Sequence, residues 1–157
     1  MIHIHCDGSI GPKNPGGDCG WGFTATELET GEITDHCGGW PAALGNTNNR
    51  AEMSAMLNAL LWLSGRPAHI WTDSQYVVNG VNVWSPAWAR RKWQRHRAGV
   101  WEPVPNRDLW QQILEVRNTL QVVEWVRGHC GTPGNERADR LALKGRIAAT
   151  QTQGETS

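Results

Sequence analysis

The opening of the chain alternates apolar and polar side chains. From residue 2 to residue 7 the sequence reads "IHIHCD", and a period of two is typical of a half-buried β-strand. Two further strands are predicted at 21–29 and 33–40, with "TGE" between them as a hairpin turn. Residues 8–20 are rich in Gly, Pro and Asn and are predicted to form a loop. The first third of the chain therefore predicts a three-stranded meander.

Beyond residue 47 the apolar residues recur at helical spacing. Thr47 and the two asparagines after it are good N-cap residues, and Gly65 favours an end to this first helix. The later elements are predicted, in order, as a strand at 68–72, a short helix from Ser74, a helix from Pro86 through a basic patch, a loop at 99–106, a helix at 108–118, a strand at 120–126, a glycine-rich loop at 128–134 and a helix from Pro133 to about Ala149.

This order of elements indicates an α/β protein. A meander followed by alternating strands and helices predicts a mixed five-stranded sheet with helices packed on it. The 157 residues suit one domain. We assign that domain to residues 1–149 and expect the polar tail 150–157, "TQTQGETS", to be disordered.

Charge and cysteine content indicate the cellular compartment of the protein more than they indicate its function. The chain has 15 basic and 15 acidic residues, so its net charge indicates no polyanionic partner, but residues 90–97, "RRKWQRHR", form a basic patch. The four cysteines include no CxxC pair, which suits a reducing compartment better than a zinc knuckle or a disulfide framework. With no leader and no apolar run of membrane-spanning length, we expect a cytoplasmic location and no membrane contact.

Four carboxylates stand where predicted elements begin or end. Asp7 and Asp73 each end a strand, Glu52 lies early in the first long helix, and Asp139 lies in the last helix. If the first and fourth strands are neighbours, Asp7 and Asp73 emerge side by side. Converging carboxylates repel one another unless cations lie between them, and their hard oxygen atoms suit Mg²⁺ or Mn²⁺.

An ordinary structural role is the alternative for each acid taken alone. Asp73 could cap the helix that begins at Ser74. Asp139 could pair with Arg137 or Arg140. The joint placement of the four acids is what favours a metal site.

Several motifs then carry a specific resemblance. They are "DGS" at 7–9, "NPGG" at 14–17, "TNNRAE" at 47–52, "TDSQYV" at 72–77, "DLW" at 108–110 and "GHCGTPGNERAD" at 128–139. In this order, and over nearly the whole chain, they resemble type I ribonuclease H. The resemblance implies the ribonuclease H-like fold, with helices on both faces of the sheet. It also implies an endoribonuclease that cleaves the RNA strand of RNA–DNA hybrids with two divalent cations and leaves 5′-phosphate and 3′-hydroxyl ends.

The resemblance also assigns catalytic roles. The family's metal-binding quartet corresponds to Asp7, Glu52, Asp73 and Asp139, with two Mg²⁺ ions per site and Mn²⁺ as a possible substitute. Asp7 would bridge both ions, Asp139 would serve the side of the attacking water, and the other two would serve the leaving group. His129, in the loop before the last helix, corresponds to a proton shuttle or an aid to product release; its ordinary alternative is an exposed loop histidine.

Substrate contacts follow from the same comparison. Asn48, Asn49 and Gln75 would read the RNA 2′-hydroxyl, although helix capping also explains Asn48. Asn14 and Thr47 would hold a DNA phosphate; the 8–20 loop departs from the commonest family pattern at Asn14. The resemblance places the remaining contacts on the basic protrusion, namely Trp84 on the DNA strand and Arg90, Arg91 and Lys92 on phosphates.

Two other functions fit the same fold. One is a non-catalytic hybrid-binding module, which the presence of all four acids disfavours. The other is a nuclease acting on DNA only, which the 2′-hydroxyl readers Asn49 and Gln75 disfavour. No protein partner is implied, and we expect a monomer.

Overall fold

The computed structural model describes residues 1–155 and is built around one five-stranded sheet. The strands are β1 (Ile2–Gly11), β2 (Asp18–Glu27), β3 (Ile33–Trp40), β4 (Ala68–Thr72), β5 (Gln94–Arg97), β6 (Val100–Pro103) and β7 (Gln121–Trp125). The helices are α1 (Asn48–Leu63), α2 (Gln75–Asn79), α3 (Ser85–Arg90), α4 (Arg107–Val116) and α5 (Pro133–Glu155), with a π-helical segment at Gly80–Trp84 between α2 and α3. The main sheet has the order β3-β2-β1-β4-β7, and β5 and β6 form a separate hairpin.

The centre of the sheet sets two acids side by side. Strand β1 pairs antiparallel with β2 and parallel with β4. The last pair in the parallel register is Cys6 with Thr72. Asp7 and Asp73 come next along the chain, so both emerge side by side at the point where β4 ends. The prediction that Asp7 ends its strand was wrong, because β1 continues to Gly11, whereas Asp73 does follow the last residue of β4.

Helices cover both faces of the sheet, as predicted. On one face, α1 packs on β1 and β2 through fully buried side chains such as Met56 and Leu60, which join the core with Ile4 and Ile70. On the other face, α5 packs on β1, β2 and β3. The α/β prediction and the mixed five-stranded sheet are therefore confirmed.

Four predicted segments differ from the structure. One is the loop predicted at 99–106, where Val100–Pro103 form β6 because they pair with β5. Residues 8–20 were expected to be a loop, but β1 continues to Gly11 and β2 begins at Asp18, so only a short connection lies between them. Glycine lowers strand propensity, yet here both strands extend because the ladder pairs Gly8 with Trp21 and Gly11 with Asp18. Local composition did not reveal this pairing.

The basic patch is a helix only in part. Helix α3 ends at Arg90, and the chain then turns through Lys92 and Trp93, which both have left-handed backbone angles (φ 55° and 63°), into the β5–β6 hairpin. Left-handed residues cannot continue a right-handed helix. The helix predicted from Pro86 through the patch was therefore wrong beyond Arg90.

The last helix is longer than predicted. Instead of ending near Ala149, α5 continues to Glu155. The Thr150 hydroxyl donates a hydrogen bond of 2.7 Å to Asp18, which ties this part of the helix to β2. Of the predicted disordered tail, 156–157 lie outside the described residues.

No helix within residues 1–155 combines the length and the apolar character that a membrane crossing requires.

The turn between β5 and β6 generates a stability prediction. Arg97 pairs with Val100, so the loop has two residues, Ala98 (φ 51°) and Gly99 (φ 80°). Such turns favour Asn-Gly, because the short polar side chain of asparagine can hydrogen-bond to the local backbone and so tolerates positive φ better than alanine does. We expect Ala98→Asn to raise the free energy of unfolding by about 0.5–1 kcal/mol, measured by urea denaturation.

A matched control for this change is Ala89→Asn. Ala89 is exposed and lies in helix α3, where asparagine is a poorer helix former than alanine. Loss of stability at both positions would contradict the assignment of a strained turn.

Candidate active site

Three of the four predicted acids form one cluster. Asp7 from the middle of β1, Glu52 from α1 and Asp73 from just after β4 each place a carboxylate oxygen within 4.8 Å of the others. Asp7 is 4% exposed and Glu52 is 6% exposed, whereas Asp73 is partly exposed. Buried carboxylates this close together need a compensating charge or shared protons.

Gly8 makes the approach of α1 to β1 possible. Its backbone N–H donates hydrogen bonds to two acids, to Asp7 Oδ1 at 2.9 Å and to Glu52 Oε2 at 3.0 Å. A Cβ at this position would lie 2.4 Å from the backbone nitrogen of Glu52. Any larger residue would therefore push the helix and its carboxylate away from the strand.

The electrostatics of the cluster follow from burial. Burial, reinforced by the negative charge of Asp73, raises the pKa of Asp7 from its ordinary 3.8 to about 7. Burial and the nearby Asp7 charge also raise the pKa of Glu52 well above its usual range. Both shifts mean that the fully ionised site is unfavourable unless a cation occupies it.

Asp139 lies close to the cluster but outside its tightest group. It is partly exposed on α5, and its charge contributes to raising the pKa of Asp7. His129 is exposed in the loop between β7 and α5, with a left-handed backbone angle (φ 53°). Asp139 therefore acts on the charge of the cluster, and His129 directly follows Gly128, which lies close to Asp73.

The structure decides against two of the ordinary alternatives. Ser74, and not Asp73, caps α2, since its hydroxyl accepts a hydrogen bond of 3.2 Å from the Val77 N–H. Arg137, one of the possible partners of Asp139, binds Asp35 on β3 instead. Helix capping is thus no longer needed to explain Asp73.

A separate cleft is lined mainly by aromatic and amide groups. It has a volume of about 390 Å³, and its lining includes Asn49, Tyr76, Trp84, Trp88 and Asn106. The Trp84 ring packs against Tyr76 (centroids 5.9 Å apart) and Trp88 (5.8 Å apart). Two of the predicted substrate residues, Asn49 and Trp84, therefore share one surface.

The other predicted readers lie near the start of the helices. Asn48 and Gln75 are exposed in the first turns of α1 and α2. Thr47 caps α1 by accepting a hydrogen bond of 3.2 Å from the Arg50 N–H, so the capping role suggested for Asn48 belongs to Thr47. Exposed Asn14 reaches the same helix end, where its Oδ1 accepts from the Asn48 N–H at 3.3 Å.

The basic side chains form a separate groove. Arg90, Arg91 and Lys92 are exposed and line a shallow depression of about 400 Å³ with Gln94 and Trp101. Trp101 is 57% exposed, so its ring is open to a ligand, whereas Trp110 is 0% exposed and belongs to the core.

A polar network, missed from sequence, joins the helices that carry these residues. Arg50 on α1 binds Asp108 with both terminal nitrogens, at 3.0 and 2.7 Å, and donates to Asn106 Oδ1 at 3.1 Å. Asn106 in turn donates to the Tyr76 hydroxyl at 3.0 Å. Arg50 and Asp108 fall within quoted motifs, but a sequence alone does not show that residues so far apart meet.

The donor set fits hard divalent cations. The three clustered groups offer only carboxylate oxygen atoms, the ligands that Mg²⁺ and Mn²⁺ favour. The raised pKa of Asp7 is what a cation in this position would reverse.

Comparison with known proteins agrees with this geometry. The RNase H family profile matches residues 1–147. Ribonuclease H of Thiobacillus denitrificans is 44% identical over 154 residues, covering 96% of this chain and 97% of that protein.

Two solved structures share the fold. LC9-RNase H1, a type 1 RNase H with the type 2 active-site motif, has a TM-score of 0.77 at 27% identity; the match covers 94% of this chain and 72% of that one. LC11-RNase H1 in complex with an RNA/DNA hybrid has a TM-score of 0.66 at 20% identity; the match covers 96% of this chain and 99% of that one.

The profile match over nearly the whole sequence and the close relative of similar length lead to one conclusion: this chain belongs to the ribonuclease H family.

Proposed function

We propose that this chain is an endoribonuclease that hydrolyses the RNA strand of RNA–DNA hybrids with the help of two divalent cations, Mg²⁺ or Mn²⁺. The observation that carries the proposal is the cluster of Asp7, Glu52 and Asp73, with its buried, mutually repelling carboxylates. Membership of the ribonuclease H family supports it. The hybrid bound to LC11-RNase H1, a protein of the same fold, supports the choice of substrate.

The acids would hold the cations along the axis of the displacement at phosphorus. Asp7, at the centre of the cluster, would bind both ions; Glu52 and Asp73 would serve the leaving-group side, and Asp139 the side of the attacking water. Bound cations of this kind lower the pKa of water and stabilise both the entering and the leaving oxygen. Hydrolysis in which the 3′ oxygen is the leaving group would give a 5′-phosphate and a 3′-hydroxyl.

His129 would move protons or help release the product. It is exposed on the loop that leads into α5, the helix that carries Asp139, and from this loop it would reach a departing phosphate without displacing the acids. A loop position also implies a smaller effect on rate than that of the acids themselves.

The surrounding surfaces would recognise the two strands separately. Asn48, Asn49 and Gln75 would contact the RNA 2′-hydroxyls in the minor groove. Asn14 and Thr47, joined through the end of α1, would hold a phosphate of the DNA strand. The Trp84 ring, in the aromatic cleft, would pack against the DNA sugars, and the basic groove would follow the phosphates beyond them.

The first test is cleavage of a labelled hybrid with Mg²⁺ and with a chelator. We expect cleavage of the RNA strand only with the metal. Hybrid binding without cleavage would favour a binding module, and equal cutting of duplex DNA would favour a DNA nuclease.

For Asp7→Asn we expect turnover to fall by more than about a hundredfold, because the cation loses its central ligand. Hybrid binding should change little, since the phosphate and 2′-hydroxyl contacts are retained. The control is Asp35→Asn, which removes a carboxylate of β3 that binds Arg137 and should leave turnover near wild type. Near-normal turnover of Asp7→Asn would contradict the metal assignment.

Neutralising Arg90, Arg91 and Lys92 to Gln should raise KM and flatten its dependence on salt. Each lost phosphate contact is expected to reduce the slope of log KM against log salt by about 0.7–0.9. Lys144→Gln, an exposed charge on α5, serves as the control. An unchanged salt slope in the triple variant would show that the groove does not touch the substrate.

The acid cluster also predicts an unusual pH dependence of stability. The folded pKa of Asp7, about 7, lies above its ordinary 3.8, so between these pH values the native state binds the proton more tightly than the unfolded chain does. Stability in a chelator should therefore fall as pH rises from about 4 to about 7. We expect Asp7→Asn to reduce this fall by about 1–3 kcal/mol, measured by denaturation at pH 4 and pH 8.

Asp35→Asn should behave in the opposite way. The bound Arg137 lowers the pKa of Asp35, so the folded state favours the ionised carboxylate. Removing this carboxylate should therefore lower the free energy of unfolding more at neutral pH than at acid pH.

Added Mg²⁺ should restore the stability of the wild type at pH 8 but not that of Asp7→Asn. A stability of the wild type that rises steadily from pH 4 to pH 8 in chelator would contradict the assigned cluster.

A further inference from the structure

Asn135 lies where the first turn of α5 meets the acid cluster. Its side chain is almost wholly buried, at 2% exposure, and its Nδ2 points at Asp73 Oδ2 from 3.5 Å. Its Oδ1 is also buried and has no hydrogen-bond partner among the residues that the structure describes. An unpaired buried acceptor costs stability, so packing and folding alone do not account for an amide here.

Asp73 is also enclosed by the chain around Asn135. Trp125, at the end of β7, donates from its indole N–H to the Asp73 carbonyl at 3.0 Å. Gly128 follows so closely that a Cβ there would lie 2.6 Å from Asp73 Oδ2. Of these three contacts, only Asn135 offers a side-chain donor to the carboxylate itself.

Asn135 and Asp139 are four residues apart on α5. Residues at this spacing lie on the same face of a helix, one turn apart. The contact of Asn135 with Asp73 therefore joins the face of α5 that carries Asp139 to the end of β4, in addition to the packing of the helix on the sheet and the ion pair of Arg137 with Asp35. The partly exposed Asp139 has no comparable anchor of its own in the described part of the chain.

We propose that Asn135 is a positioning residue that holds the Asp73 carboxylate in one orientation and sets Asp139 at its working distance from the other acids. The amide N–H restrains one oxygen of Asp73, so that the rotation of the group is limited before any cation arrives. This inference rests on the proposed role of the acids in holding divalent cations.

The test uses Asn135→Leu, which keeps the approximate size of the side chain and removes both polar atoms. Because one of them is unpaired and the partly exposed Asp73 can be hydrated instead, the variant should be at least as stable as wild type in a chelator. We expect Mg²⁺ to bind about 10-fold more weakly in calorimetry without substrate, as is typical when a group that orients a metal ligand is lost. On a hybrid, kcat should fall by about 10–100-fold, with KM nearly unchanged.

Gln121→Met is the matched control. Gln121 is another buried amide, at 1% exposure, but it lies at the start of β7, far along the strand from the acids, where it binds backbone groups of Asn118 and Arg66. Its loss should lower the unfolding temperature while Mg²⁺ affinity and kcat stay near wild type.

Each outcome is decisive for one of the two proposals. Wild-type Mg²⁺ affinity and kcat in a folded Asn135→Leu would overturn the positioning role. The volume of the side chain, without its amide group, would then be sufficient at this position. If the Leu variant fails to fold, the same measurements on Asn135→Ala decide in the same way. If the wild type binds Mg²⁺ but cleaves no hybrid, the proposed function fails, and calorimetry still tests Asn135.

Discussion

Repulsion among carboxylates is the constraint around which this structure is organised. Asp7 and Glu52 are almost fully buried, and Asp73 lies beside them. Such an arrangement is unfavourable in a folded protein on its own. The central parallel pair of strands imposes it, because the register of β1 and β4 sends both aspartates out of the same edge. The surrounding helices then fix how far apart the acids can move.

Two close approaches of the backbone bring the acids together. Gly8 lets the backbone of α1 lie against β1, and Gly128 lets the chain after β7 close on Asp73. Arg50, two residues before Glu52, ties α1 to the start of α4 through Asp108 and Asn106. The elements that carry the acids are thereby attached to one another close to the acids, where the repulsion between carboxylates acts.

Sequence reasoning succeeded where a local pattern determined the structure. Alternation gave β1, apolar spacing gave α1, and the expected pairing of the first and fourth strands gave the neighbouring positions of Asp7 and Asp73. It failed where partners distant in sequence decide the outcome: the ladder that extends β1 and β2 through glycines, and the hairpin after Arg90. Asn135 also escaped notice, although it lies inside a quoted motif, because only the folded chain shows that its amide faces Asp73.

The position of helix α5 in the sequence determines when, during synthesis, the set of acids can be completed. It carries Asp139 and covers β1, β2 and β3, yet it follows every strand in the chain. During synthesis on a ribosome, Asp7 emerges early, while the strands that α5 covers stay bare on that face until the helix follows. A nascent chain would therefore hold an incomplete set of acids, and the site would be complete only after α5 has been synthesised and has folded onto the sheet.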